Sequence, residues 1–391
     1  MKVLILHQHF NTPDTGGAIR SYYLAKALVD SGIETIVITA HNESKYKRKQ
    51  IEGLEVHYLP IAYNNGFGFF ARGMSFLKFA YGCVRMTRKL QNIKVCYAIS
   101  TPLTVGLAAI WIRKRFAIPF IFEVGDLWPD APIQLGFVKN FLLQKALYRL
   151  EKLIYQQAKS IVALSPAIQS AISKKIPGKE IHLIPNMADC DFFLPEPKNS
   201  ILENKFGVSG KFVVSYIGAV GVANGLDYFL ECANASRKTN LPIHFLLCGE
   251  GALRGRLKKN VDQMKLNNLS FIDFQNRNGV KELMNVTDAA FICYKNAAIL
   301  ETGSPNKFFD GLAAGKLIVI NFGGWIKNEI EENRCGLYVD PRNPIDFVKK
   351  MTPFLEDKKQ LESYQAASRQ FGERKYSRKL LSERFAKLFL N

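Results

Sequence analysis

The sequence predicts an α/β protein of two Rossmann-like, doubly wound domains facing a central cleft. Three observations predict it. Short β-rich apolar runs alternate with helical patterns along the chain, as a parallel sheet with crossover helices requires. The alternation pauses over 185–211 and then restarts. The length, 391 residues, suits two domains better than one. With 48% of residues hydrophobic and 22% charged, each half can bury a core without disulfide or metal staples.

In the first half the strand-like runs are Val3–Leu6, Thr35–Thr39, Glu55–Leu59, Val95–Ile99, Phe120–Glu123, Ile161–Leu164 and Ile181–Ile184. Ala18–Val29 and Phe141–Gln157 carry helical periodicity. The stretch Pro185–Lys211, with Pro185, Pro195 and Pro197, reads as an interdomain connection. Beyond it, Phe212–Ile217, Ile243–Cys248, Leu269–Phe274, Ala289–Cys293, Leu317–Ile320 and Leu337–Val339 read as strands. Gly225–Ser236, Ala252–Met264, Pro305–Ala314 and Pro344–Leu355 read as helices. Lys375–Leu390 is amphipathic and is expected to return to the first domain. The expected domains are therefore 1–190, 191–374 and a closing helix in 375–391. Ligands of open parallel sheets bind beyond the carboxyl ends of the strands, so the interdomain cleft is the default site.

The seven cysteines are scattered, odd in number and without a Cys-x-x-Cys pair. This argues against zinc and a disulfide framework and for a reducing compartment. Val95–Ile112 has eighteen uncharged residues, but Pro102 interrupts it. A buried strand followed by a buried helix describes it better than a membrane span. The Met1–Leu6 apolar run is too short for a signal peptide. His7 and His9 would point the same way on a strand, with no third metal ligand in sight.

Four strand-end loops carry the candidate chemistry. The first, Thr12 to Arg20, contains Gly16 and Gly17, which permit close backbone approach to an anion at a helix start. A plain strand–helix turn is the competing account, and no Gly-x-Gly-x-x-Gly dinucleotide fingerprint is present. The second, Glu123-Val124-Gly125-Asp126-Leu127-Trp128-Pro129-Asp130, places three carboxylates at a strand end. Asp126 is the favoured functional group, with Glu123 and Asp130 as further candidates for acceptor or sugar hydroxyls. Solvated acids and a helix cap are the plainer account. The third runs from Glu301 to Gly315. Ser304 suits an N-cap and Pro305 the first helical position. The free N–H groups and Lys307 can hold a diphosphate, and Asp310 can accept from ribose hydroxyls. The fourth, Tyr216 to Asp227, offers Gly218 and Gly221 as a second phosphate approach, or a structural turn.

The balance of 53 Lys+Arg against 34 Asp+Glu gives a net charge of +19 and implies an anionic partner. No Asp or Glu occurs between Val56 and Phe122, a stretch with nine cations. In its 61–94 portion, aromatic residues interleave with Arg72, Lys78, Arg85, Arg88 and Lys89. That pattern suits an anionic membrane surface. A crossover helix with core aromatics and solvated cations is the competing account. No nucleic-acid motif accompanies the charge, and none is expected as partner.

On these residues the chain resembles the retaining, GT-B-fold glycosyltransferases of glycosyltransferase family 4 over nearly its full length. The resemblance is carried by Gly16-Gly17, Asp126-Leu127-Trp128-Pro129, Ile184-Pro185-Asn186, Gly218 to Asp227, and Ser304 to Gly315. The Asp-Leu-Trp-Pro and Ser-Pro-Asn-Lys-Phe elements look most like the bacterial N-acetyl-L-fucosamine, or deoxyamino sugar, branch. The resemblance implies metal-independent transfer of a sugar, with retention, from a nucleotide-diphospho donor, UDP being the expected nucleotide, with no further cofactor. It implies donor contacts from Gly16, Gly17, Gly218, Gly221, Glu301, Ser304, Asn306, Lys307 and Asp310, with Asp126 and Lys307 closest to the chemistry. It implies a polyprenyl-diphosphate-linked acceptor on the first domain. The setting would be O-antigen or capsule assembly, on the cytoplasmic face of the cell membrane.

The chain also departs from the family pattern. Of the family's two spaced glutamates, the second position is Asp310, and Glu301 stands one place from the first. Ala219 and Asn224 stand where many members carry Arg and Lys, so Lys307, with Arg20, would hold the diphosphate. Gly125 stands where many place a histidine. A nucleotide-sugar epimerase of the same fold and a non-enzymatic basic protein that binds membrane or nucleic acid are the alternatives.

Overall fold

The computed structural model describes residues 1–14, 16–64 and 66–390, and for Phe69 the backbone alone. The first sheet contains β1 (Lys2–Leu6), β2 (Glu34–His41), β3 (Lys47–Ile51), β4 (Leu54–Pro60), β5 (Ile93–Ile99), β6 (Phe120–Val124), β7 (Ser160–Ala163) and β8 (Ile181–Leu183). Their spatial order is β3-β4-β2-β1-β5-β6-β7-β8. The second contains β9 (Phe212–Ile217), β10 (Ile243–Cys248), β11 (Leu269–Ile272), β12 (Ala289–Ile292), β13 (Leu317–Ile320) and β14 (Gly336–Tyr338), ordered β11-β10-β9-β12-β13-β14. All strand pairs are parallel except β3–β4. This is the two-domain α/β architecture the strand–helix alternation predicts.

The central strands are apolar because helices cover both faces. β1, β6, β7, β10, β12 and β13 are buried over nearly their whole length. β3 is absent from the expected strands. Its sequence, Lys-Arg-Lys-Gln-Ile, has no apolar alternation because it is an edge strand, where cations discourage further pairing. The uncharged stretch 95–112 divides into β5 and the helix Thr104–Phe116. No helix among the described residues is long and apolar enough to cross a membrane. The seven cysteines are buried and free.

The chain crosses between domains twice, and the crossings lie side by side. Ala188 forms a parallel bridge with Ser377. The Ala188 N–H donates to the Tyr376 carbonyl at 2.8 Å, and the Arg378 N–H donates to the Ala188 carbonyl at 2.9 Å. The last helix, Arg378–Leu390, lies on the first domain, with Phe385 and Phe389 against Tyr97 at centroid distances of 4.8 and 6.0 Å. The connection between the domains is not wholly irregular, since it includes the helix Ser200–Phe206.

Strand order reverses between β1 and β5 in one sheet and between β9 and β12 in the other. The loops after these strands border the ligand crevices of doubly wound sheets. They hold the glycine loop at 16–17, Ser100, the Gly218 loop and Tyr294.

Candidate functional site

Lys307 is the centre of the second domain's wall. It lies in the first turn of the helix Asn306–Ala313. Its ammonium donates to Tyr216 Oη at 3.2 Å and to Asn224 Oδ1 at 3.4 Å. It also sits over the rings of Tyr216 and Tyr294, at 4.7 and 5.6 Å from their centroids. Among the described residues it forms no ion pair. Burial lowers its pKa to about 8. The Gly218 loop reaches it directly, because a Cβ at Gly218 would stand 3.0 Å from Lys307 Cε. Gly218 and Lys307 therefore belong to one surface. Tyr216, Asn224 and Tyr294 complete it. The sequence reading assigned these three no ligand role, although Tyr294 follows a strand end, where ligand groups gather.

Asp310 stands one turn further along the same helix. Burial raises its pKa to about 7, with Arg277 opposing the shift and Asp189 adding to it. Its carboxylate hydrogen-bonds no described side chain. Asp310 and Asn306 line a cavity of about 110 Å³ with Gly16, Gly17 and Arg277. The structure thus brings the first-domain glycine loop to the start of the second-domain helix. Gly16 and Gly17 take φ of +71° and +80°, the left-handed region that glycine enters without a Cβ clash.

Asp126 projects into the cleft from the end of β6. It meets water there but is ringed by protein, and the lost solvation raises its pKa. Its charge also reaches Tyr294, whose pKa is raised mainly by burial. Asp126 and the Lys307 wall therefore face one another across the cleft.

Several expectations need correction. Glu123 is not a cleft ligand: its side chain is 2% exposed and pairs with Arg20 at 3.0 Å. Arg20 is correspondingly not a diphosphate holder, since it also donates to the Ile184 carbonyl at 2.8 Å and to that of Pro185. Asp130 accepts from Lys175 at 2.6 Å and from Tyr148 at 2.9 Å, on the helical side of the first domain. Ser304 does not cap its helix. Its Oγ accepts from the Asn186 N–H at 3.4 Å and its carbonyl from the Asn186 side chain, so it joins the two domains. Pro305 occupies the cap position instead. His7 and His9 lie beyond the end of β1, not on a strand; His7 Nδ1 meets Ser21 Oγ at 2.8 Å. Glu301 lies in the short helix Ala298–Thr302 and accepts from the Gly323 N–H at 3.3 Å. Gly221 precedes the single turn Val222–Asn224, which carries Asn224 to Lys307. Among the described residues no group of three His, Cys, Asp or Glu could hold a metal ion.

One cluster outside the sequence reading spans the domains. Arg277, at the start of the helix Arg277–Val286, donates to Asp189 and to Tyr23 Oη. Tyr23 Oη donates to Asp189 at 2.9 Å, and Arg378 pairs with Asp189 at 3.1 Å. The Arg277 guanidinium lies 4.0 Å from the Phe192 ring centroid.

The chain matches two families in tandem. The family described as Glycosyl transferase 4-like domain matches residues 15–187. That described as Glycosyl transferases group 1 matches residues 199–371. Together they take in most of the chain, and each falls on one of the two sheets. The chain belongs to the GT-B-fold glycosyl transferases. A teichuronic acid biosynthesis glycosyltransferase of Bacillus subtilis, TuaH, is 28% identical over 58% of the chain and 56% of its own length. A colanic acid biosynthesis glycosyl transferase of Escherichia coli, WcaI, is 23% identical over 51% of the chain and 50% of its own length. The matched region thus spans about half of each of these relatives. Among solved structures, Anabaena HepE in complex with UDP and glucose superposes with a TM-score of 0.75. The superposition covers 100% of both chains at 15% identity, so the likeness is one of fold.

Proposed function

We propose that the protein transfers a sugar, with retention, from a nucleotide-diphospho donor to a lipid-linked saccharide during surface-polysaccharide assembly. The observation that carries this reading is the Lys307–Asp310 pair of positions. One half-buried cation without an ion pair and one half-buried carboxylate without a hydrogen-bond donor stand one helical turn apart. A nucleotide diphosphate supplies what both lack: phosphate oxygens for Lys307 and ribose hydroxyls for Asp310. UDP is the proposed nucleotide, as in the complex of HepE, and the polysaccharide setting follows that of TuaH and WcaI. A deoxyamino sugar is the proposed cargo, on the Asp126-Leu127-Trp128-Pro129 and Ser304 to Phe308 elements.

In this reading the second domain stabilises the leaving group. Charge builds on the β-phosphate as the anomeric C–O bond breaks, and a preorganised ammonium in a closed cleft is worth far more than one in water. Lys307 does this work in place of a metal. Asp126, on the opposite wall, orients acceptor or sugar hydroxyls. The acceptor hydroxyl bonds to the anomeric carbon on the face the phosphate leaves, and its proton passes to that phosphate, as retention requires. Glu301, Gly16, Gly17, Gly218 and Gly221 line the donor path by backbone or carboxylate contact.

The reading also places the protein on the inner face of the cell membrane. The helix Phe69–Thr87 exposes Phe70, Met74, Leu77 and Tyr81 on one stripe, with Lys78, Arg85, Arg88 and Lys89 beside and below them. Arg72 points elsewhere, donating to the Phe67 carbonyl at 2.8 Å.

The test is calorimetric titration with UDP and UDP-sugars, followed by transfer of radiolabelled sugar to a lipid extract. Wild type is expected to bind UDP and label lipid, and Lys307→Ala to bind UDP about 10–100-fold more weakly and to lose the labelling. Unchanged UDP binding in Lys307→Ala and Asp310→Asn would overturn the proposed donor site.

A further inference from the structure

The first domain contains a second cavity, of about 600 Å³, separate from the Lys307 wall. Its size is that of a small-molecule site. Its lining is dominated by apolar and aromatic side chains, among them Tyr63, Phe76, Trp128, Val138 and Leu147.

The lining gives the cavity two ends. His9 and Trp128 belong to the loops after β1 and β6, which border the cleft, and Trp128 lies two residues beyond Asp126. Phe137 belongs to the outer surface and is 59% exposed. Rings run between the ends: His9 to Tyr63 at 4.6 Å, then Tyr63 to Phe76 at 5.5 Å. Close in the chain to the lining residues Arg72 and Leu143, Phe70, Phe141 and Leu142 are 90%, 70% and 74% exposed. Large apolar side chains this exposed are surface that an apolar partner would cover. Arg72 lines the same cavity, on the helix that carries the exposed cations. A guanidinium is well suited to phosphate oxygens.

We propose that this cavity holds the first isoprenoid units of the acceptor's lipid, with the diphosphate at Arg72 and the saccharide directed to the Asp126 end. The proposal rests on the lipid-linked acceptor reading above and gives it an address. A chain that starts in a bilayer and ends at the cleft must pass from apolar surface to reaction centre. The cavity makes that connection through apolar walls. The basic surface beside it complements a diphosphate and an anionic bilayer alike. A straight acyl chain from the bilayer shares the apolar chemistry, so the experiment must separate the two.

Calorimetry on the full-length protein, with farnesyl diphosphate, inorganic diphosphate and oleate as probes, makes that separation. Farnesyl diphosphate is expected to bind at least tenfold more tightly than either of the others. Leu143, a lining residue on the helix Phe141–Gln157, is replaced to fill the space. Leu143→Trp is expected to weaken farnesyl diphosphate at least tenfold while leaving UDP affinity unchanged. Val138→Phe is the second filling variant, and a melting curve for each shows that it has folded. Equal farnesyl diphosphate binding in wild type and both folded variants would overturn the proposal. So would oleate binding as tightly as farnesyl diphosphate. Loss of UDP binding from the wild type with farnesyl diphosphate retained would overturn the donor site and leave this one standing.

Discussion

Arg20 and Glu123 form an ion pair at 3.0 Å with side chains only 9% and 2% exposed. The same carboxylate accepts from Tyr97, and the same guanidinium donates to the carbonyls of Ile184 and Pro185. One buried pair thus ties the first helix, the end of β6 and the start of the interdomain connection.

Removing one partner leaves the other charge buried and uncompensated. Breaking such a pair typically costs about 3–5 kcal/mol. Arg20→Met is therefore expected to lose stability of that order in urea denaturation of the free protein. Replacing both, as Arg20→Met with Glu123→Gln, is expected to recover part of the loss. A cost for Arg20→Met under about 1 kcal/mol, the range of exposed pairs, would show that the pair is not an anchor.

The sequence hides this anchor. Glu123 sits at a strand end beside Asp126, and spacing alone cannot separate a carboxylate that points into the sheet's packing from one that points out. The partner, Arg20, is 103 residues away. The strands were legible because a parallel sheet covered on both faces writes apolar runs, as in Phe212–Ile217 and Leu317–Ile320. β3 was not, because its edge position asks for charge instead. In the site, Gly218, Lys307 and Asp310 were legible from strand-end glycines and a helix start. Tyr216 and Tyr294 were not, because an aromatic ring at a strand end carries no ligand pattern of its own. The Arg277–Asp189 contact joins a helix start to a loop, and their meeting depends on how the domains face each other, which no local pattern records.

Lys307 should give donor binding an alkaline limit. Its pKa is lowered to about 8, and the ammonium is the form that attracts phosphate. The free protein loses that charge as pH rises through about 8, while bound diphosphate favours the protonated state. UDP affinity is therefore expected to fall as pH rises above 8. Lys307→Ala should weaken UDP about 10–100-fold, the loss of one charge-assisted contact, and abolish the fall. Titration calorimetry from pH 6.5 to 9.5 checks both. A wild-type affinity that does not change across that range would contradict the assignment.

Asp310 should trade stability for binding. Its pKa is raised from 3.8 to about 7, so between those values the folded state holds a proton that the unfolded state releases. Stability due to this group is thus present below about pH 3.8 and is lost as pH rises through about 7. At pH 8 the half-buried carboxylate carries its full penalty. Asp310→Asn is expected to melt a few degrees higher than wild type at pH 8, with the gain shrinking at pH 5. The same variant should bind UDP at least tenfold more weakly, because a neutral amide is a poorer acceptor for ribose hydroxyls. A lower melting temperature at pH 8 together with unchanged UDP binding would assign Asp310 a structural role.

The basic helix makes the last prediction. Phe70, Met74, Leu77 and Tyr81 are exposed at positions that share one face of Phe69–Thr87. Lys78, Arg85, Arg88 and Lys89 are exposed on or beside that face. Apolar insertion and cation attraction then act together, and they respond to different variables. Each cation near an anionic surface contributes about 1 kcal/mol. Replacing these four by Gln is thus expected to lower the affinity for anionic vesicles about 1,000-fold. Salt should mimic the substitution, since the screening length falls from about 10 Å at 0.1 M to about 3 Å at 1 M. Phe70→Ser with Leu77→Ser should weaken flotation at every salt concentration and leave the salt dependence in place. Undiminished flotation of the four-cation variant on anionic vesicles would move the attachment away from this helix. Equal flotation of wild type on neutral and anionic vesicles would remove charge from the account.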